Sequence, residues 1–331
     1  MTGTQRTMRA VRVQAPGGPE VMHVTEVPVP RPGMGEVLVR VEFAGVNFID
    51  VYKRTGAYPL VHPSGLGEEG AGTVAEIGDG VMNVDVGARV AWTNVLGSYA
   101  EYVVVPAARV VPVPDGVGSE RAAAVMLQGM TAHYLATSTC PLMPGDHCLV
   151  HAAAGGVGLL LVQIARRRGA TVIGTAGSEE KARLAQLAGA ERVIVYTRED
   201  FVAETKRATN DAGVRVVYDS VGRTTFLKGF EVLAPRGMMV LFGQSSGAVE
   251  PFDPQLLNRY GSLFLTRPTL VHYIASREEL LARSTELFSW IVAGELEVRI
   301  GAEYPLAEVA EAHRALEGRR TTGKVVLRVA P

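Results

Sequence analysis

Apolar and polar positions follow three successive rhythms along the chain. From Met8 to about residue 120, the runs MRAVRVQ, EVLVRVEFAGV, GAGTVAEIGDG, ARVAW, YAEYVVVP and RVVPVP are rich in valine and punctuated by Gly and Pro. Short alternating runs between turn signals predict the strands of an antiparallel barrel or sandwich. Residues 1–7, ahead of that pattern, are expected to form a loose tail. Alternating strands and helices then take over. Strands are predicted at His147–Ala152, Thr171–Thr175, Arg192–Val195, Arg215–Tyr218 and Met238–Phe242, with helices near 156–168, 179–188, 199–208 and 223–233. This is the rhythm of a doubly wound parallel sheet. After FLTRPTL come an amphipathic helix near 277–293, a strand near Glu297, a helix near 306–318 and a last strand in TGKVVLRV. If that strand joins the first β region, the α/β domain is an insertion in the other one.

The junction of the first α/β strand and helix reads HAAAGGVGLLLVQIARRRGA, from His151 to Ala170. Strand, glycine turn and helix is the context of a dinucleotide fingerprint. Gly155 and Gly156 let backbone N–H groups, with that of Val157, approach a pyrophosphate, and Gly158 lets the helix pack closely on the strand. The helix N-terminus adds a partial positive charge. Ala153 stands where the first glycine of G-x-G-x-x-G belongs, which is tolerable if the turn there needs no positive φ. A tight turn with no ligand is the bland alternative.

The next strand indicates which nucleotide is bound. An NAD site places Asp or Glu about 20 residues on, against the ribose 2′-OH. Here Thr175 runs into AGSEEK, with Ala176 at the acid's place, and Gly177, Ser178 and Lys181 offer room and charge for a 2′-phosphate. NADPH is therefore favoured over NADH. Glu179 and Glu180 would repel a phosphate if they faced it, and Ser178 has an alternative role as a helix N-cap.

Composition narrows the partners. A length of 331 residues suits two domains, and 47% hydrophobic with 20% charged residues suits a soluble globular protein. A formal net charge of −1 favours neither nucleic acid nor an anionic membrane, so small molecules are the default ligands. Cys140 and Cys148 are too few for a disulfide framework. No run approaches the ~18–20 apolar residues that span a bilayer, and no signal-like apolar segment follows the first residues, so a cytoplasmic location is expected.

From Gly145 the chain reads GDHCLVHAAAGGVGLLLVQIAR, with Leu149, Gln163 and Arg166 in register with the glycines. This resembles the signature of the zinc-independent quinone oxidoreductases, the zeta-crystallin-like branch of the medium-chain dehydrogenase/reductase superfamily. GVNFIDVYKRTGAYP, VVYDSVGRTTF, FGQSSGAV and GSLFLTRPTL extend the similarity over nearly the whole chain. The resemblance implies a Rossmann domain, residues 129–268, inserted in a GroES-like β-barrel domain formed by 1–128 and 269–331. It also implies a homodimer paired through the Rossmann edge strand near Gly261–Pro268.

Zinc-dependent relatives hold their catalytic metal with Cys, His and Cys, ligands that suit a tetrahedral site. The matching positions here are Asn47, Glu68 and Gln128, and TNVLGSYAEY lacks the cysteines of a structural zinc lobe. A metal-free site is expected. Cys140, His147, Cys148 and His151 are not expected to converge on a metal, because odd spacings along a strand point to opposite faces. Hydride delivery to an electron-poor quinone or enone needs mainly proximity and hydrogen-bond donors, not a Lewis acid.

The loop of Asn47 and Tyr52 carries a zinc ligand in metal-dependent relatives and so should face the nicotinamide. The Asn47 amide is expected to orient the nicotinamide or its ribose, and the Tyr52 hydroxyl to donate to the acceptor oxygen; loop capping and wall packing are their alternatives. By resemblance Thr131 touches the cofactor, Tyr196 stands beside the adenine or 2′-phosphate, and Arg319 reaches the phosphates. Their alternatives are helix capping, packing and a plain surface arginine. Ser220, and Phe242, Gly243 and Gln244, end strands at the carboxyl edge where open α/β sheets bind ligands. NADPH-dependent quinone reduction is the leading expectation. Reduction of α,β-unsaturated carbonyls is its rival among enzymes, and a nucleotide- or RNA-binding role its rival outside them. The near-zero net charge gives the last no support.

Overall fold

The computed structural model describes residues 6–330. Strands β1 (Thr7–Val13) and β2 (Met22–Pro28) pair antiparallel. The tail expected over residues 1–7 therefore gives way to a strand at Thr7, and residues 1–5 lie outside the described residues. Next come β3 (Glu36–Val46), α1 (Phe48–Arg54), β4 (Glu69–Ile77), β5 (Arg89–Thr93), β6 (Tyr102–Pro106), β7 (Val111–Pro112) and α2 (Ser119–Tyr134).

The alternating segment supplies β8 (His147–Val150), α3 (Gly156–Arg167), β9 (Thr171–Ala176), α4 (Glu179–Leu187), β10 (Arg192–Val195), α5 (Phe201–Ala208) and β11 (Val214–Asp219). It continues with α6 (Phe226–Gly229), β12 (Leu233–Leu241), α7 (Gln255–Arg259), β13 (Phe264–Thr266) and α8 (Leu270–Tyr273). The chain closes with α9 (Arg277–Val292), β14 (Ile300–Pro305), α10 (Val309–Glu317) and β15 (Lys324–Arg328).

Two compact units result, Met1–Gln128 with Ile274–Pro331, and Gly129–Tyr273. In the first, a seven-stranded sheet runs β14-β15-β3-β4-β5-β7, with β6 also on β3. β15 pairs antiparallel with β3, so the two ends of the chain share one sheet. Inward residues such as Val37, Val39, Val41, Trp92, Tyr99 and Leu327 alternate with outward ones and fill its core. The second unit is a parallel sheet in the order β10-β9-β8-β11-β12-β13, the doubly wound arrangement, with β8 and β11 meeting where the order reverses.

Three elements differ from the sequence pattern. The helix expected over 223–233 is only α6 and a 3-10 turn at Phe230–Val232, because β12 begins at Leu233 rather than Met238. β12 carries Pro235 and Gly237 within it as an irregularity, with Arg236 at φ 62° and a register shift against β11. The strand expected near Glu297 starts at Ile300, beyond it.

Candidate functional site

In the α/β unit the chain leaves β8 at Val150 and turns through His151–Gly155 into α3. His151 N–H donates to the Tyr218 carbonyl (3.0 Å) and Ala153 N–H to the Thr175 carbonyl (2.9 Å), which pins the turn to β11 and β9. The left-handed residue is Ala152, at φ 52°, not Ala153. The methyl of Ala153 lies over Gly174, where an added Cβ would stand 2.8 Å from it. The missing fingerprint glycine at 153 is thus matched by a glycine on the next strand.

A Cβ on Gly158 would overlap the Ala152 carbonyl oxygen and stand 2.8 Å from the Ala153 Cα, so only glycine lets α3 start this close to the turn. The first bond back along α3 is Leu159 N–H to the Gly155 carbonyl (2.9 Å). The N–H groups of Gly156, Val157 and Gly158 therefore have no acceptor within the helix and stand as three donors at its N-terminus. The Thr175 hydroxyl lies 3.1 Å from His151 Nδ1 and 3.3 Å from Ala152 N, bracing the turn from beneath. Burial pushes the His151 imidazole below its usual range, so it is neutral.

At the ends of β9 and β10 the predicted 2′-phosphate residues come together. Ala176 is buried at the last position of β9, and its carbonyl accepts Tyr196 N–H (3.1 Å). The Tyr196 hydroxyl lies over Gly177, where an added Cβ would be 2.7 Å from it. Ser178 caps α4 by accepting Lys181 N–H (3.3 Å), the alternative role read for it, and its hydroxyl proton is still available to donate. Glu179 is ion-paired with Arg198, which offsets the repulsion expected of it.

At the other side of the sheet, Phe242 N–H donates to the Asp219 carbonyl (2.8 Å), and a Cβ on Gly243 would stand 2.7 Å from the Ser220 carbonyl oxygen. Ser220, Phe242, Gly243 and Gln244 thus share the carboxyl edge of β11 and β12. The Asp219 carboxylate holds the loop itself, accepting from Val221 N (2.7 Å), Gly222 N (3.0 Å) and the Thr225 hydroxyl (2.8 Å). Thr131 is buried within α2.

The other unit holds Asn47, Tyr52 and Arg319. Asn47 is the N-cap of α1, and its backbone N–H donates to Asp50 Oδ2 (2.8 Å). Its amide is saturated. Nδ2 donates to Glu69 Oε1 (2.7 Å) and, at 3.5 Å, to the Gly45 carbonyl, while Oδ1 accepts from Gln128 Nε2 (3.0 Å) and Lys324 Nζ (2.8 Å). An amide has no further capacity. The expectation that Asn47 turns its amide to the nicotinamide is revised accordingly: its capping alternative holds, and it fixes the start of the helix that carries Tyr52. Tyr52 is half-buried, its ring centroid 5.1 Å from that of Tyr58 and 6.1 Å from that of Phe48. Arg319 is exposed, at φ 55°, just past the end of α10.

Asn47 is one member of a buried polar cluster. Lys324 is ion-paired with Glu69, whose second oxygen accepts Leu127 N–H (2.6 Å). Tyr99 donates to Asp50 Oδ2 (2.8 Å) and lies 3.4 Å from His313 Nε2. Arg54, fully buried, reaches His313 Nδ1 (3.0 Å), both Glu317 oxygens (3.0 and 2.7 Å) and the Gly17 carbonyl (3.1 Å). Burial pushes Asp50 up to about 6 against the Tyr99 hydrogen bond. Burial, helped by the Arg54 charge, pushes His313 down to about 3. Glu68, the one plausible metal ligand among the three matching positions, has its carboxylate bound to Lys53 instead. Among the described residues no three His, Cys, Asp or Glu side chains are grouped to hold a metal.

Sequence reasoning missed most of this cluster. Asp50 had a signal, since Asn-x-x-Asp is a helix-start spacing. His313 stands in no motif of the sequence, and Lys324 falls inside the pattern of the last strand.

A parallel six-stranded α/β unit enclosed by the two ends of a β-rich unit is the architecture of a medium-chain dehydrogenase/reductase. Residues 33–115 match the alcohol dehydrogenase GroES-like domain, and residues 156–289 the zinc-binding dehydrogenase family. A quinone oxidoreductase of Pseudomonas aeruginosa is 44% identical over 321 residues, 96% of this chain and 99% of the relative. A 2-haloacrylate reductase of a Burkholderia species is 41% identical over 326 residues, 96% and 98% of the two chains. The crystal structure of Escherichia coli quinone oxidoreductase complexed with NADPH superposes with a TM-score of 0.95 at 43% identity, covering 98% of this chain and all of that one. The chain belongs to the quinone oxidoreductase family of that superfamily.

Proposed function

We propose that this chain reduces quinones with NADPH, hydride passing from the nicotinamide C4 to the acceptor without a protein-bound metal. The observation that carries this reading is the glycine turn of a doubly wound sheet in a chain 43% identical to a quinone oxidoreductase crystallised with NADPH. The unit Gly129–Tyr273 is the NADPH-binding domain in this reading.

The residues fit the cofactor. Gly158 lets α3 start against the turn, where a Cβ would strike the Ala152 carbonyl, and so sets the helix N-terminus where its N–H groups can meet a diphosphate. Gly177, Ser178, Lys181 and Tyr196 surround the strand end where a ribose carrying a 2′-phosphate belongs. Thr131, Thr175, Ser220, Phe242, Gly243, Gln244 and Arg319 complete the set assigned to it. When bound, NADPH supplies the hydride. The Tyr52 hydroxyl donates a hydrogen bond to the acceptor oxygen as negative charge develops there, and Asn47 and Asp50 hold α1 so that Tyr52 is pre-positioned. The final proton comes from water.

A second reading, reduction of an α,β-unsaturated carbonyl compound, is supported by the 41% identity to a 2-haloacrylate reductase. Assays of NADPH oxidation with 1,4-benzoquinone, 9,10-phenanthrenequinone and a panel of enones separate the two. Quinones should give the larger kcat/KM; enones doing so would establish the second reading in its place.

Pairing of two copies through β13 is supported by its place at the sheet edge and by the exposure of Phe264 and Leu265 on it. A clean monomer on sedimentation would remove that assignment. No helix among the described residues is long and apolar enough to cross a membrane, and two free buried cysteines suit a cytoplasmic location.

A further inference from the structure

The Lys53–Glu68 ion pair has no part in the hydride transfer described above. Lys53 follows Tyr52 on α1, and its ammonium meets the carboxylate of Glu68, which stands just before β4. The Lys53 side chain keeps 21% of its exposure and that of Glu68 only 5%, so the pair sits at a boundary between protein and solvent. Glu69, next to Glu68, is bound to Lys324 and Asn47. The two ammonium groups, Lys53 and Lys324, are thus matched by two carboxylates, Glu68 and Glu69, and Asp50 beneath them adds negative charge once ionised. Next after Tyr52 along α1 the protein therefore holds a cation in contact with a carboxylate.

We propose that the Lys53–Glu68 pair sets the charge selectivity of the acceptor site: compensated, it favours uncharged acceptors over those bearing a carboxylate or sulfonate. The proposal rests on the reading that acceptors bind beside Tyr52. An uncompensated lysine at a half-buried position attracts an anion strongly, because water screens it poorly there. With Glu68 in contact, that attraction is cancelled, and an anionic acceptor loses hydration without gaining a counter-charge. In this chain Glu68 is then the residue that sets the preference for neutral over anionic acceptors.

The test compares 1,4-naphthoquinone with 1,4-naphthoquinone-2-sulfonate, which differ in charge at nearly the same ring, as the ratio of their kcat/KM values. Glu68→Gln should raise the sulfonate-to-neutral ratio about tenfold, mainly through KM, which corresponds to about 1.4 kcal/mol. Lys53→Met, which leaves the carboxylate uncompensated, should lower the ratio. The double variant should return it close to that of the parent. Circular dichroism establishes that each variant is folded, and should Glu68→Gln fail to fold, the fall in Lys53→Met decides alone. A ratio unchanged in the folded single variants, or moving the same way in both, overturns the proposal. Failure of the parent to oxidise NADPH with either quinone would instead overturn the functional reading beneath it.

Discussion

The glycine turn at Gly155–Gly158 and the cluster around Asn47 solve opposite problems. The turn works by leaving side chains out: at Gly158 any Cβ would strike the Ala152 carbonyl, and the exposed resource is backbone N–H. The cluster works by pairing side chains with one another. Asn47, Glu69, Lys324, Asp50 and Tyr99 bind each other so fully that Asn47 has nothing left to offer a ligand. A backbone cradle tolerates no added atom, whereas a side-chain cluster tolerates no removed one.

The largest effect should come from removing a charge from the cluster. Lys324→Met leaves Glu69 buried without its ion partner and should cost about 3–5 kcal/mol, read from urea unfolding. A loss below about 1 kcal/mol would mean that the cluster relaxes as easily as a surface. At the turn, Gly158→Ala should cost about 1–3 kcal/mol by overpacking and weaken NADPH binding, followed by fluorescence titration. Unchanged affinity in a folded variant would separate the turn from the cofactor.

A smaller effect should appear with pH, because the cluster holds two groups that shift in opposite ways. His313 resists protonation down to about 3 in the folded chain, against 6.5 for the free group. The unfolded chain binds that proton first, so its contribution to stability falls as pH drops from 6.5 towards 3, by at most about 5 kcal/mol. Asp50 takes its proton near 6 when folded, against 3.8. Its contribution therefore rises as pH drops from 6 to 3.8, by at most about 3 kcal/mol. The two offset each other, leaving a net acid loss of about 2 kcal/mol. Between neutral pH and pH ~4, His313→Gln should reverse the slope of urea midpoints, leaving the Asp50 gain on acidification, and Asp50→Asn should steepen the acid loss. The smallest effect should be at the edge of the cradle. Lys181→Ala should raise KM for NADPH about tenfold while sparing NADH, and equal effects on both would remove its tie to the 2′-phosphate.

The same contrast explains what could be read from the chain. Gly155, Gly156 and Gly158 lie within four successive residues, and the Ala176–Lys181 segment follows at the end of the next strand, so spacing alone predicts a nucleotide site. Even Ala153, which looked like a flaw, is explained by Gly174 two strand positions before Ala176. The cluster draws on residues 47, 50, 69, 99, 128, 313 and 324, brought together only by the sheet and α10. No local period announces such a set. The early start of β12 at Leu233 has a related cause: it is set by pairing with β11 and not by the local pattern of Pro235 and Gly237.

The position of β15 has a consequence for synthesis. Residues 129–273 can close their own sheet as soon as they leave the ribosome, but β3 must wait for Lys324–Arg328, made well after them, to receive its antiparallel neighbour. Until then Glu69 lacks the ammonium of Lys324. A segment that precedes the nucleotide domain is therefore completed after it, and a chain truncated before Lys324 should retain a folded nucleotide domain and an unfinished β-rich unit.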